Sequence, residues 1–88
     1  MGIDDTETAT VRAVLVDILG LNPTTVAGFE ASTGLFGALP ELDSMAVAGL
    51  LTEIEDRLHI VIDDDEVEGE MLETFGGLVS FIKRKSNP

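Results

Sequence analysis

Apolar residues return at helical intervals in three stretches of the chain. Val11, Val14, Leu15, Ile18 and Leu19 stand at i, i+3, i+4, i+7 and i+8, which predicts a first helix over Thr6–Leu19. Asp4, Asp5 and Glu7 put negative charge where a helix start favours it, and Gly20 and Pro23 stop the helix. Val47, Leu50, Leu51, Ile54 and Leu58 repeat the pattern and predict a second helix over residues 43–58, leaving Met45, Gly49, Thr52 and Asp56 on its outer face. Phe75, Leu78, Val79, Phe81 and Ile82 predict a last helix over residues 74–85, closed by the cations Lys83, Arg84 and Lys85. Beyond it, Ser86, Asn87 and Pro88 are expected to fray. Asp63-Asp64-Asp65-Glu66 starts a short third helix that turns Val67 and Met71 inward.

Between the first two helices, residues 21–42 show no sustained period and are punctuated by Thr24, Thr25, Gly28, Ser32, Thr33, Gly34, Gly37 and Pro40. A loop this long in a compact domain needs a reason. A short helical turn fits near Pro23 and Val26, and Val26, Phe29, Leu35, Phe36 and Leu39 are available to pin the segment onto the helices. Such a loop frees the first two helices from running as a tight hairpin and delivers the start of the second to one end of the molecule. The expected fold is all-α, a four-helix bundle with three main helices, a short third helix and a long loop between helices one and two. The chain reads as a single domain over residues 1–88 with an ordered core over about 5–85.

Composition narrows the function. A hydrophobic content of 44 % in 88 residues describes a globular chain with a small core. There is no cysteine, so any thiol chemistry must come from an attached group. A formal net charge of −12 argues against nucleic acid and anionic membrane as partners and favours enzymes with basic surfaces, although acidity also maintains solubility. No apolar run is long enough to span a bilayer. Met1-Gly2 with Thr6 matches the N-myristoylation pattern formally, but Asp4 and Asp5 would be repelled by an anionic membrane surface. A soluble, cytoplasmic monomer is expected.

The candidate chemistry sits at Leu42-Asp43-Ser44-Met45. Ser44 falls in the first turn of the second helix, where unpaired N–H groups and the positive end of the helix dipole tolerate a phosphate ester. Read alone, Asp43 or Ser44 is a helix cap. The setting adds more. Asp43-Ser44-Met45 resembles the D-S-L signature of the acyl carrier protein family, with Met in place of Leu. Leu35-Phe36-Gly37 and Leu39 stand upstream as in that family, and Leu50, Ile54 and Leu58 fit its buried positions. Ile60-Val61-Ile62-Asp63 fits its segment after the second helix, and residues 74–82 fit its last helix.

The resemblance implies a non-catalytic carrier. Ser44 would receive 4′-phosphopantetheine from coenzyme A through a phosphopantetheinyl transferase, normally with magnesium, and the arm's thiol would hold an acyl group as a thioester. Asp43, Met45, Ala48, Thr52, Glu55 and Asp56 would be read by the transferase and by loading and processing enzymes. Ala46, Ala48 and Gly49 stand where many carriers have acids, which points away from primary fatty acid synthesis and toward a specialised lipid or polyketide-type pathway. The cargo stays open: the serine region also resembles D-alanyl carriers, whose tryptophan-containing stretch has no counterpart here, and peptidyl carriers share the motif. An unmodified acidic adaptor is the competing class.

Other chemistry finds little support. His59, the only histidine, falls at a helix end that favours it electrostatically. The acids from Asp63 onward fail the calcium-loop spacing, with Val67 at the fifth position and Glu68 where glycine belongs. Ser44 lacks the Gly-x-Ser-x-Gly elbow, and no glycine loop precedes a lysine as in phosphate-cradling motifs.

Overall fold

Asp5 and Gly20 bound the first helix, as their residue types require. In a computed structural model, which describes residues 5–86, α1 spans Thr6–Leu19. The Asp5 carboxylate accepts the Thr8 N–H at 2.9 Å, and Gly20 closes the helix at a φ of 69°, a left-handed conformation that suits glycine. Next come α2 (Pro23–Ala27), α3 (Ser44–Leu58), a 3₁₀ turn (Asp64–Glu66), α4 (Gly69–Leu72) and α5 (Phe75–Ser86). Asn22 caps α2, with its side-chain oxygen accepting from the N–H groups of Thr24 and Thr25. The expected positions of Met1, Gly2 and Asp4 at the N-terminus and of Asn87 and Pro88 at the other lie outside the described residues. Ser86 does not fray; it completes the last turn of α5.

The three long helices bury one shared core. Val11, Val14 and Leu15 from α1, Leu50, Leu51 and Ile54 from α3, and Phe75, Leu78, Val79, Phe81 and Ile82 from α5 are all buried. Each fully buried aliphatic side chain contributes about 1.5–3 kcal/mol. Two expected members are displaced. Ile18 is 38 % exposed because it lies at the edge of the α1 stripe, over the bare backbone of Gly49. Phe36 is equally exposed: Leu35 takes the inward place, and Phe36 lies on the turn that follows, where the N–H groups of Ala38 and Leu39 donate to the Leu35 carbonyl. Leu42 and Leu72 are buried members that periodicity did not mark.

The long loop is held by the main chain as much as by side chains. The N–H groups of Leu35 and Phe36 donate to the carbonyls of Glu73 and Leu72 at 2.8 and 2.9 Å. In return, those of Phe75 and Gly76 donate to Thr33 and Ala31 at 2.8 and 2.9 Å. Gly76 permits this approach. A Cβ there would stand 2.8 Å from the Ala31 carbonyl oxygen, and one on Gly77 would stand 2.8 Å from the Met71 carbonyl oxygen. The glycine pair thus admits backbone from the loop and from α4.

Arg12 clamps the other end of the loop. Its half-buried guanidinium donates to the carbonyls of Val26 at 2.6 Å and Phe29 at 3.1 Å, and its central carbon stands 4.7 Å from the Phe75 ring centroid. Phe29 meets Phe75 edge to face at 5.9 Å.

The expected third helix is split in two. Asp63 and Glu66 cap the 3₁₀ turn reciprocally: the Glu66 carboxylate accepts the Asp63 N–H at 3.0 Å, and the Glu66 N–H donates to the Asp63 carbonyl at 2.9 Å. Glu68 is then extended, with φ −120° and ψ 146°, and only at Gly69 does α4 begin. Val67 and Met71 are half-buried against the core, as their inward placement requires.

Two ion pairs, one exposed and one half-buried, tie α5 to distant parts of the chain. Lys83 meets Asp5, and Lys85 meets Glu66 at 2.8 Å. Hydrogen bonding to Lys83, then to Thr8, holds the Asp5 carboxyl far below its ordinary value of 3.8. Lys85, then the Asp63 N–H, lowers Glu66 below 4.5. A depressed carboxylate contributes stability above its unfolded value and loses it as the pH falls through its folded value. At low pH the relief of repulsion among many acids acts in the opposite direction. The difference between wild type and Lys85→Met isolates the pair: it is expected to be largest near neutral pH and to shrink as the pH falls below about 4.5 and through the lowered folded value. Urea midpoints across that range measure it, and high salt should reduce it at every pH.

Candidate functional site

Leu42 fixes the approach to α3. Its side chain is buried, and its N–H donates to the Leu39 carbonyl at 3.1 Å. The chain then turns outward at Asp43, whose backbone is extended at φ −97° and ψ −177°. The Asp43 carboxylate accepts the Ala46 N–H at 2.8 Å, and its carbonyl accepts the Val47 N–H at 2.9 Å. Asp43 is therefore the N-cap, and Ser44 is the first residue of the helix proper. Replacing Asp43 with alanine should cost about 1 kcal/mol in a denaturant titration and leave the fold intact.

Ser44 is exposed, and its hydroxyl hydrogen-bonds to no described residue. The first-turn N–H groups of Ser44 and Met45 likewise have no partner among the described residues. Free N–H groups and the helix dipole give the hydroxyl a setting suited to an anionic ester. Among the described residues no side chain stands as a base on this oxygen.

The outer face of α3 carries Met45, Ala48, Gly49, Thr52 and Asp56, all exposed, with Met45 at 85 %. Its first two turns hold no charged side chain, and acids resume at Glu53. Glu53 is engaged with Arg57 at 2.8 Å, which also meets Asp17 at 2.6 Å. Glu55 is half-buried, and its carboxylate accepts the Ile62 N–H at 2.6 Å. This contact ties the segment after α3 back to the helix, a structural role that residue type did not announce. Thr52, Glu53, Glu55, Asp56 and Ile60 line a shallow open depression at the far end of this face.

His59 caps the C-terminus of α3 in the left-handed region at φ 57°, with its N–H donating to the Glu55 carbonyl. Among the described residues no three His, Cys, Asp or Glu side chains converge as metal ligands, and no helix is long and apolar enough to cross a membrane.

Residues 9–82 match the sequence profile of a family described as the phosphopantetheine attachment site. The holo acyl carrier protein of Nitrosomonas europaea, solved by solution NMR, has the same fold at a TM-score of 0.77 and 37 % identity. That match covers 92 % of this chain and 96 % of the Nitrosomonas chain. The chain belongs to the acyl carrier protein family. A search of curated proteins gave no match.

Acyl carrier proteins bear a covalent 4′-phosphopantetheine and work with phosphopantetheinyl transferases and acyl-handling enzymes. The arm supplies a terminal thiol, which this cysteine-free chain does not have. A phosphodiester to the arm requires an accessible hydroxyl and tolerance of negative charge. The exposed Ser44 hydroxyl, beside unpaired first-turn N–H groups, meets both requirements.

Proposed function

We propose that Ser44 is the attachment point of the 4′-phosphopantetheine arm, and that the chain carries an acyl intermediate as a thioester in a specialised lipid or polyketide-type pathway of the cytoplasm. The observation that carries this reading is the exposed, unengaged Ser44 hydroxyl at the N-terminus of α3. The transferase supplies the base that takes the Ser44 proton, a reading supported by the lack of any side chain among the described residues that hydrogen-bonds the hydroxyl. Asp43 holds the helix start, so the oxygen is presented on a rigid turn. When bound, the arm supplies a thiol that can reach a partner's active site, and the tether raises the effective concentration of the cargo there.

Partners read the outer face of α3. The uncharged Met45–Ala48–Gly49 end meets the surface around their active-site entrance, and Asp56 and the neighbouring depression meet basic side chains farther along. The uncharged first turns support enzymes other than those of primary fatty acid synthesis. The whole chain acts as one carrier domain and as a monomer.

Incubation of the apo chain with coenzyme A and a phosphopantetheinyl transferase tests the reading. The intact mass should rise by one phosphopantetheinyl group, located on the Ser44 peptide. No gain with several transferases would reject it. The intact mass of the protein isolated from its source identifies the cargo.

A further inference from the structure

We propose that Met45 is a reversible oxidation site whose sulfoxide blocks loading of the adjacent Ser44. The chain has no cysteine, tryptophan or tyrosine, so oxidants meet few other soft side chains. Of the methionines among the described residues, Met71 is half-buried against the core and Met45 is 85 % exposed. Hydrogen peroxide is neutral and is not repelled by a chain of net charge −12. One peroxide oxygen passes to the thioether: an S–O bond forms as the O–O bond breaks, the sulfur gives up two electrons, and the other oxygen leaves as water.

Position turns this chemistry into control. Met45 directly follows Ser44, and long side chains in a helix lean toward its N-terminus, so the thioether inclines toward the end that displays the hydroxyl. An enzyme that takes the Ser44 proton must cover this side chain. As a thioether, Met45 offers an adaptable apolar contact. As a sulfoxide, it must bury a strong hydrogen-bond acceptor. Its neighbours Ala46, Ala48 and Gly49 have no side-chain donor, Thr52 stands about 10 Å along the helix at 1.5 Å per residue, and the donors that do stand near, the Ser44 hydroxyl and the first-turn N–H groups, are the ones loading itself requires. Reduction of the sulfoxide by a methionine sulfoxide reductase restores the original surface.

This proposal rests on Ser44 being the loading site, and the test separates the two. The apo chain and its Met45→Leu variant are each treated with hydrogen peroxide, freed of it with catalase, and assayed with coenzyme A and a transferase that was never exposed to oxidant. Peptide mapping should show sulfoxide forming at Met45 faster than at Met71. The kcat/KM for loading the treated wild type should fall roughly tenfold, the cost of desolvating an unpaired polar group. It should recover after treatment with methionine sulfoxide reductases of both stereospecificities. Treated Met45→Leu should keep the rate of its own untreated sample. An unchanged wild-type rate despite full Met45 sulfoxide overturns the proposal, as does an equal fall in Met45→Leu or slower oxidation at Met45 than at Met71. If the untreated wild type takes no cofactor, the loading assignment fails, and with it the blocking role of Met45.

Discussion

Ser44→Ala abolishes uptake of the phosphopantetheinyl group and leaves the protein folded. The side chain it shortens is exposed and engages no described residue, so the loss removes no internal contact. The cap belongs to Asp43 and survives, and alanine is a better helix former than serine. The change in stability should stay within about 0.5 kcal/mol, as for surface substitutions away from special features. Intact mass after incubation with coenzyme A and a transferase reads the first effect, and circular dichroism melting reads the second. Such a pairing separates a missing nucleophile from a damaged fold. A variant that still gains the group would move the attachment elsewhere, and full pathway activity in an unmodifiable variant would favour an unmodified adaptor.

Arg12→Ala should be the more damaging change to the fold, costing about 3 kcal/mol from two charge-assisted hydrogen bonds and a cation–π contact. Two partly buried carbonyls, those of Val26 and Phe29, lose their donor together, and Phe75 loses the cation over its ring. A chain of 88 residues has a total stability of only about 4–13 kcal/mol at 0.05–0.15 kcal/mol per residue, so the loss would be a large share. Arg12→Lys should recover only part of it, since an ammonium group cannot fork to two carbonyls or stack on a ring. Urea denaturation of the three proteins measures this series. A loss for Arg12→Ala below about 1 kcal/mol would mean that the clamp is solvated in solution and holds little.

The helices were legible because their signals are local. Asp5, Gly20 and the spacing of Val11, Val14 and Leu15 lie within one turn or two of what they determine, and α1 begins and ends where those residues place it. The second helix begins one residue later than expected because Asp43 spends its carboxylate on the cap, and α5 likewise starts at Phe75, one residue on. What escaped detection depends on partners far along the chain. Arg12 looks like an ordinary surface charge until the carbonyls of Val26 and Phe29 arrive beneath it. Glu55 appears as one more acid on an outer face, yet it holds the Ile62 N–H. Gly76 and Gly77 suggest a weak helix, whereas each makes room for backbone from another segment. The place of Ser44 at the start of α3 was legible from its neighbours, and its exposure follows from the buried Leu42 and the outward turn at Asp43.

The loop that leads to Ser44 is fastened through amide and carbonyl atoms at Ala31, Thr33, Leu35 and Phe36. Such bonds are blind to side-chain identity, proline excepted. Evolution can therefore rewrite the outward-facing letters of this strap, Phe36 among them, without shifting the Ser44 hydroxyl. Adding or deleting a residue would slide the whole fastening out of step, so a lineage of such carriers should vary here in spelling far more readily than in length.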